Sequence, residues 1–138
     1  MVDSMADDDL ALLRNAYEAL NRGDVAGAMA VVDEDAEWHE HSDLPEAGSY
    51  VGRETIREFL ERFLESWQEF HQEAEELIPA QQRVLIFLHL LARGKGSGIP
   101  VETRYAHLWT MREGRGVRID AYYDRNEALE ALEATRAG

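Results

Sequence analysis

The chain contains no cysteine, a single lysine, three prolines and no apolar run long enough to cross a bilayer. The first absence removes disulfides, thiolate nucleophiles and Cys-ligated zinc or iron–sulfur centres, and fits a reducing compartment. The scarcity of lysine leaves Lys95 as the one side-chain amine for a Schiff base; it lies among turn-forming residues, Gly94-Lys95-Gly96-Ser97-Gly98, so that chemistry is set aside. A strand pattern follows those glycines, so they lack the helix N-terminus a phosphate cradle requires and read as a hairpin turn. The longest apolar stretch, residues 84–92, is interrupted by His89 and far too short for a membrane span. Positive charge is scarce as well. Fourteen Lys and Arg against 28 Asp and Glu leave a net charge of -14, which repels DNA, RNA and anionic lipid. Neither nucleic acid nor a membrane is an expected partner. The opening residues, Met1-Val2-Asp3-Ser4 running into Asp7-Asp8-Asp9, have the wrong charge and hydropathy for a secretory peptide, and a cytoplasmic location is expected.

What is present suits one core: 138 residues, 45% of them hydrophobic. We expect a flexible segment over residues 1–9 and a single domain over 10–135. Leu10, Leu13, Tyr17 and Leu20 share one helical face, ended by Asn21-Arg22-Gly23 with Gly23 as C-cap. Asp24 then caps a short helix with the inner stripe Val25, Ala28, Met29 and Val32. Glu37-Trp38-His39-Glu40-His41 reads as a short strand closed off by Ser42, Asp43, Pro45 and Gly48. Ile56, Phe59, Leu60, Phe63, Leu64 and Trp67 mark a long amphipathic helix, with Glu58 and Arg62 as an i,i+4 pair on its wet side. Residues 84–91 are apolar on both alternating sets, as in a strand covered on both faces. Residues 101–111 and 117–123 follow as strands of an antiparallel meander, and Asp124 with Glu127 has the spacing of a capping box for a last helix. Residues 71–79 favour helix by propensity and stay ambiguous. The order predicts an α+β fold in which helices cover one face of a bent sheet and enclose a pocket.

Strand alternation sends Trp38 and Glu40 to one face and His39 and His41 to the other. If the Glu40 face borders an apolar cavity, desolvation would raise Glu40 toward the range of a proton-shuttling base. If the histidine face points inward instead, His39, His41 and Glu46 form a metal triad whose H-x-H-x4-E spacing resembles the first motif of cupins. The later cupin signature is not matched around Pro100, and three helices do not fit a β-barrel, so neither metal nor other cofactor is expected. No Ser sits in a nucleophile elbow, and His89 reads as a satisfied core residue. Along residues 101–111, Tyr105, His107 and Trp109 share one face; if that face is bare, it is the expected contact of a homodimer.

Five stretches follow in order: Ala19-Leu20-Asn21-Arg22-Gly23-Asp24, Asp35-Ala36-Glu37-Trp38, Gly52-Arg53-Glu54-Thr55-Ile56-Arg57-Glu58-Phe59-Leu60, His107-Leu108-Trp109-Thr110-Met111-Arg112 and Tyr123-Asp124-Arg125-Asn126-Glu127-Ala128-Leu129. Together they resemble the SnoaL-like branch of the NTF2-like superfamily, which includes ketosteroid isomerase. The resemblance implies a cone-shaped fold open to small hydrophobic molecules, with a curved antiparallel sheet against three helices and a short C-terminal helix. It also implies that residues 71–78 are a strand. Matched residue by residue, the isomerase's general base falls at Glu40, its helix-one tyrosine at Ala16, with Tyr17 one position away and expected to point elsewhere on the helix, and its second acid at Ala106, so two of three catalytic groups are absent. That departure argues against a steroid isomerase of the known type. The acid/base Asp of the cyclase and hydrolase branches has only Asp120, expected to face outward, and Asp124, a helix cap, as counterparts.

Three functions follow from these residues. One is proton transfer on a small apolar carbonyl compound, with Glu40 as base and Arg104 or Tyr123 as electrophilic partner. Tyr17, Trp38, Phe63, Trp67, Arg104, Leu108 and Tyr123 are then the residues expected to bind the small molecule. Another is non-catalytic binding in the same pocket. The last is a structural homodimer in which Glu40 pairs with Arg104 across a filled interior.

Overall fold

A computed structural model describes residues 2–42 and 48–137 of the chain. Four helices, α1 (Val2–Asn21), α2 (Val25–Met29), α3 (Arg53–Glu65) and α4 (Arg125–Ala137), accompany six strands. The strands are β1 (Val32–His41), β2 (Ser49–Val51), β3 (Trp67–Ala80), β4 (Arg83–Gly94), β5 (Pro100–Arg112) and β6 (Arg115–Tyr122). They form one curved, open sheet in the order β2-β1-β6-β5-β4-β3. The meander β3 to β6 is antiparallel throughout, and β1 joins it by running parallel to β6.

Helix α1 begins at Val2, so helix runs through residues 2–9. It stops where a residue without a Cβ can turn left-handed: Gly23 has φ +78°. Asp24 then accepts a hydrogen bond from the Gly27 amide at 2.9 Å, starting α2. The stripe drawn through Val32 breaks there, because Val32 already belongs to β1. Arg53 ties α3 to α2 through its guanidinium on the Met29 carbonyl, at 3.2 and 2.9 Å. Two further expectations for α3 are corrected. Its exposed ion pairs join Arg57 to Glu54 and Glu61, where Glu58 with Arg62 was expected. Trp67 continues its periodicity in sequence, yet the helix ends at Glu65 and Trp67 opens β3. Residues 71–78 lie within β3, as the family resemblance implied.

Helices lie on both faces of the sheet, not on one. Helices α1 to α3 cover the concave face, where Val84, Ile86 and Leu88 of β4 join Leu13, Ile56 and Ile119 in the main core. Helix α4 covers the convex face, where Ala128 and Leu132 pack on Leu85, Phe87, Ala106 and Leu108. This explains why β4 is apolar on both alternating sets: each set has its own helical cover. Asp124 starts α4 by accepting from the amides of Asn126 (2.8 Å) and Glu127 (3.1 Å). Asp43, Pro45 and Glu46 lie outside the described residues, so the triad proposed through Glu46 does too. Among the described residues no group of His, Asp and Glu could hold a metal ion.

Candidate functional site

The concave face holds a cavity of about 170 Å3, walled by Ala16, Tyr17 and Leu20 of α1, Ile56, Phe59, Leu60 and Phe63 of α3, and the inward side chains of β1, β3, β4 and β5. A volume near 150 Å3 takes one benzene-sized molecule. The walls are largely hydrocarbon and aromatic. Polar atoms enter at a few points, which is how a small-molecule site fixes orientation.

Glu40 is half-buried at the rim. Its Oε1 accepts from the Trp38 indole at 2.7 Å and its Oε2 from the Tyr123 hydroxyl at 2.5 Å. Tyr123 is 52% exposed, so this side of the cavity meets solvent. Burial of its hydroxyl, together with the adjacent Glu40 carboxylate, pushes Tyr123 above the usual phenol range and keeps it a donor. The half-buried carboxylate is thus held by two donors at the mouth, on the border of the apolar cavity.

Deeper in, the indole N–H of Trp109 donates to the Tyr17 hydroxyl at 2.9 Å, and the same oxygen lies 2.6 Å from Nδ1 of His107. Burial pushes the Tyr17 phenol up, so it keeps its proton. Trp109 offers only a donor, which leaves His107 Nδ1 as the acceptor for that proton. With the phenol donating to Nδ1, the imidazole carries its own hydrogen on Nε2. Burial also lowers the His107 pKa to about 3, so the ring is neutral. Tyr105, whose phenol burial and the Glu40 charge push up, accepts from the Gln72 side chain. Gln72 is itself set by two bonds between its backbone and the Asn21 amide, at 2.8 and 3.0 Å.

The register ties these groups together. Glu40 pairs with Ala121 across β1 and β6, and Ala121 pairs with His107 across β6 and β5. Glu40 and His107 therefore stand in one transverse row on the concave face, two strand spacings or about 10 Å apart at the backbone. Trp38 bridges them, its N–H on Glu40 and its ring 4.9 Å from the His107 centroid, edge to face.

Of the residues expected to bind a small molecule, Tyr17, Trp38, Phe63 and Tyr123 line this cavity with Glu40. Three do not. Arg104 is on the convex face, exposed and paired with Glu75 at 3.1 Å, so it neither polarises a bound carbonyl nor pairs with Glu40. Leu108 is fully buried beneath α4, on the opposite face from His107 and Trp109. Trp67 meets Phe63 edge to face at 5.9 Å but does not reach the cavity. The expected dimer contact is also corrected: His107 and Trp109 are 6% and 5% exposed, and with Tyr105 they face the helices. Alternation sorts a strand into two faces without saying which face the helices cover. The same parity puts Ala106 under α4, so the position matched to the isomerase's second acid points away from the cavity. Ala16 and Tyr17 both line it.

Asp120, His39 and His89 have structural partners. Asp120 lies on the convex side of β6 but is only 3% exposed, where an outward-facing position was expected; burial works to raise it, but the Arg118 guanidinium and His41 outweigh burial and hold it below the usual carboxylate range. His39 lies between Ser49 and Glu37, at 2.7 and 2.8 Å. His89 bonds Glu102 at 2.6 Å on the convex face instead of sitting in the core.

A curved open sheet, three helices on its hollow side and a small apolar cavity between them define an NTF2-like protein. The model of the SnoaL-like domain matches residues 13–119, and the chain belongs to that family. Solved structures agree on the fold. TerC, co-crystallised with polyporic acid, is similar at a TM-score of 0.74 and 22% identity, over 91% of this chain and 98% of that one. An NTF2-like protein from Burkholderia thailandensis is 26% identical, with a TM-score of 0.72 over 94% and 97% of the two chains. A protein of ketosteroid isomerase-like fold from Catenulispora acidiphila, in complex with trimethylamine, is 18% identical, with a TM-score of 0.69 over 91% and 92%. No curated protein matches. Among the described residues no helix is long and apolar enough to cross a membrane.

Proposed function

We propose that the chain binds a small, mostly apolar carbonyl compound in the concave cavity and moves a proton on it, with Glu40 as the base. The observation that carries this reading is the placement of Glu40: a carboxylate fixed by Trp38 and Tyr123 at the rim of an apolar cavity of about 170 Å3. In the proposed step the Glu40 carboxylate takes a proton from the carbon beside the carbonyl. The C–H electron pair moves to the carbonyl oxygen as an enolate, and the proton returns at a conjugated carbon. The volume argues for a substrate of about one ring, well below a steroid. Polyporic acid in TerC and trimethylamine in the Catenulispora protein are small molecules held by similar folds, which supports small-molecule binding in outline.

A second reading, stoichiometric binding without turnover, is favoured by the commitment of both Glu40 oxygens to donors. One experiment separates the two. Cyclohex-3-enone is followed for isomerisation to its conjugated isomer and for solvent deuterium uptake, with wild type and Glu40→Gln. The catalytic reading expects turnover in wild type and a loss of about 10²-fold or more in the variant with cyclohexanone binding retained. Binding without turnover in wild type selects the second reading, and turnover unchanged in Glu40→Gln removes Glu40 from the mechanism. A homodimer and a cytoplasmic location remain part of the proposal, with no contact surface assigned now that Tyr105, His107 and Trp109 face inward.

A further inference from the structure

The interior holds a hydrogen-bond donor that no internal acceptor uses. The chain Trp109 Nε1–H to Tyr17 hydroxyl to His107 Nδ1 consumes every polar atom of the three side chains except His107 Nε2–H. That atom has no protein partner among the described residues, yet it is not among the sealed orphan groups, which are Trp67 Nε1 and Thr110 Oγ1. His107 lines the cavity while its side chain is otherwise buried. A buried N–H without a partner costs stability unless something in the cavity accepts it.

We infer that His107 Nε2–H is the anchor for an uncharged acceptor oxygen, a ketone or aldehyde carbonyl, at the inner end of the ligand, and that Tyr17 and Trp109 are positioning residues that fix its tautomer. A neutral imidazole beside the uncharged Tyr17, Trp38, Tyr105 and Trp109 offers directionality without charge. It therefore selects for a carbonyl oxygen over a hydrocarbon and offers no ion pair to a carboxylate. The row Glu40, Ala121, His107 puts this donor on the far side of a ring-sized gap from the rim carboxylate. If the proton transfer proposed above occurs, the enolate oxygen develops against His107. The carbonyl anchor rests on the ligand class of that reading but not on its chemistry.

The test compares two ligands of matched shape: cyclohexanone, and methylenecyclohexane, in which CH2 replaces the oxygen. Affinities are measured by NMR titration of wild type, Tyr17→Phe and His107→Phe, and the imidazole tautomer is read from 15N shifts. In wild type, His107 is neutral with its proton on Nε2, its Nε2 signal moves on adding cyclohexanone, and cyclohexanone binds at least tenfold more tightly than the hydrocarbon. Tyr17→Phe frees the tautomer and His107→Phe removes the donor. Both lose most of that tenfold preference while hydrocarbon affinity stays within about twofold, which shows that the cavity is intact. Wild type binding the two ligands equally, or an Nδ1–H tautomer at His107, would overturn the assignment. Glu40→Gln keeps the preference, so failure of the base and failure of the anchor give different results.

Discussion

His107 carries a cost that pH reveals. Its folded pKa is lowered to about 3 from the ordinary value of 6.5, because burial disfavours the imidazolium. Above pH 6.5 both folded and unfolded chains hold it neutral. As pH falls below 6.5 the unfolded chain takes up a proton that the folded chain refuses, so the native state loses stability progressively until about pH 3. The slope from this group approaches roughly 1.4 kcal/mol per pH unit within that window. Asp120 acts in the opposite region: its folded pKa is depressed, so its contribution is present above the ordinary carboxylate value and fades only below it. Urea unfolding at pH 7 and pH 5 therefore isolates the histidines. We expect His107→Phe to be less stable at pH 7 but to lose clearly less stability than wild type between the two values; equal losses would mean that His107 is not buried neutral.

At the scale of elements, Gly116 in β6 shows how a backbone position serves the cavity. Its amide donates to the Val31 carbonyl at 2.6 Å, and a Cβ built there would fall 2.5 Å from two ring carbons of Trp109. Trp109 is packed in the core and cannot swing aside freely. Gly116→Ala is expected to destabilise by about 1 to 3 kcal/mol in denaturant unfolding and to weaken the Trp109 to Tyr17 bond; an unchanged midpoint would show that the indole has room. Elements with strong local signals were legible in the sequence: the Asp24 and Asp124 caps, the Gly23 stop and the apolar run of β4. Those set by distant partners were not. β1 begins at Val32, but Asp33, Glu34 and Asp35 hide it, because the pairing with β6 shifts register between Val32 and Glu37. β2 is three residues long and is defined by its pairing with β1. Of the site, Tyr17, Trp38, Glu40, Phe63 and Tyr123 could be placed together from periodicity and resemblance. The His107 set could not, since parity divides β5 into faces without orienting them. The available signal was the other set: Ala106 and Leu108 match the apolar stripe Ala128, Leu129 and Leu132 of α4, which claims that face and turns Tyr105, His107 and Trp109 inward.

For the whole molecule, division of labour between the two sheet faces explains why a small core can keep a cavity. α4 closes the convex face with a separate cluster of Leu85, Phe87, Ala106, Leu108, Ala128 and Leu132, so α1 to α3 are free to stand over the concave face. The acidic surface, with its net charge of -14, discourages polyanionic partners and leaves an apolar interior as the distinctive binding feature. That the cavity takes up a small carbonyl compound is the claim on which the rest depends, and the three tryptophans report on it directly. Trp38 and Trp109 line the cavity, whereas Trp67 lies away from it with a buried indole N–H that has no partner. In 1H–15N spectra of wild type titrated with cyclohexanone, the Trp38 and Trp109 indole signals should shift along one saturable curve while Trp67 stays in place. Absence of saturable change at both cavity indoles, or a shift confined to Trp67, would contradict the account.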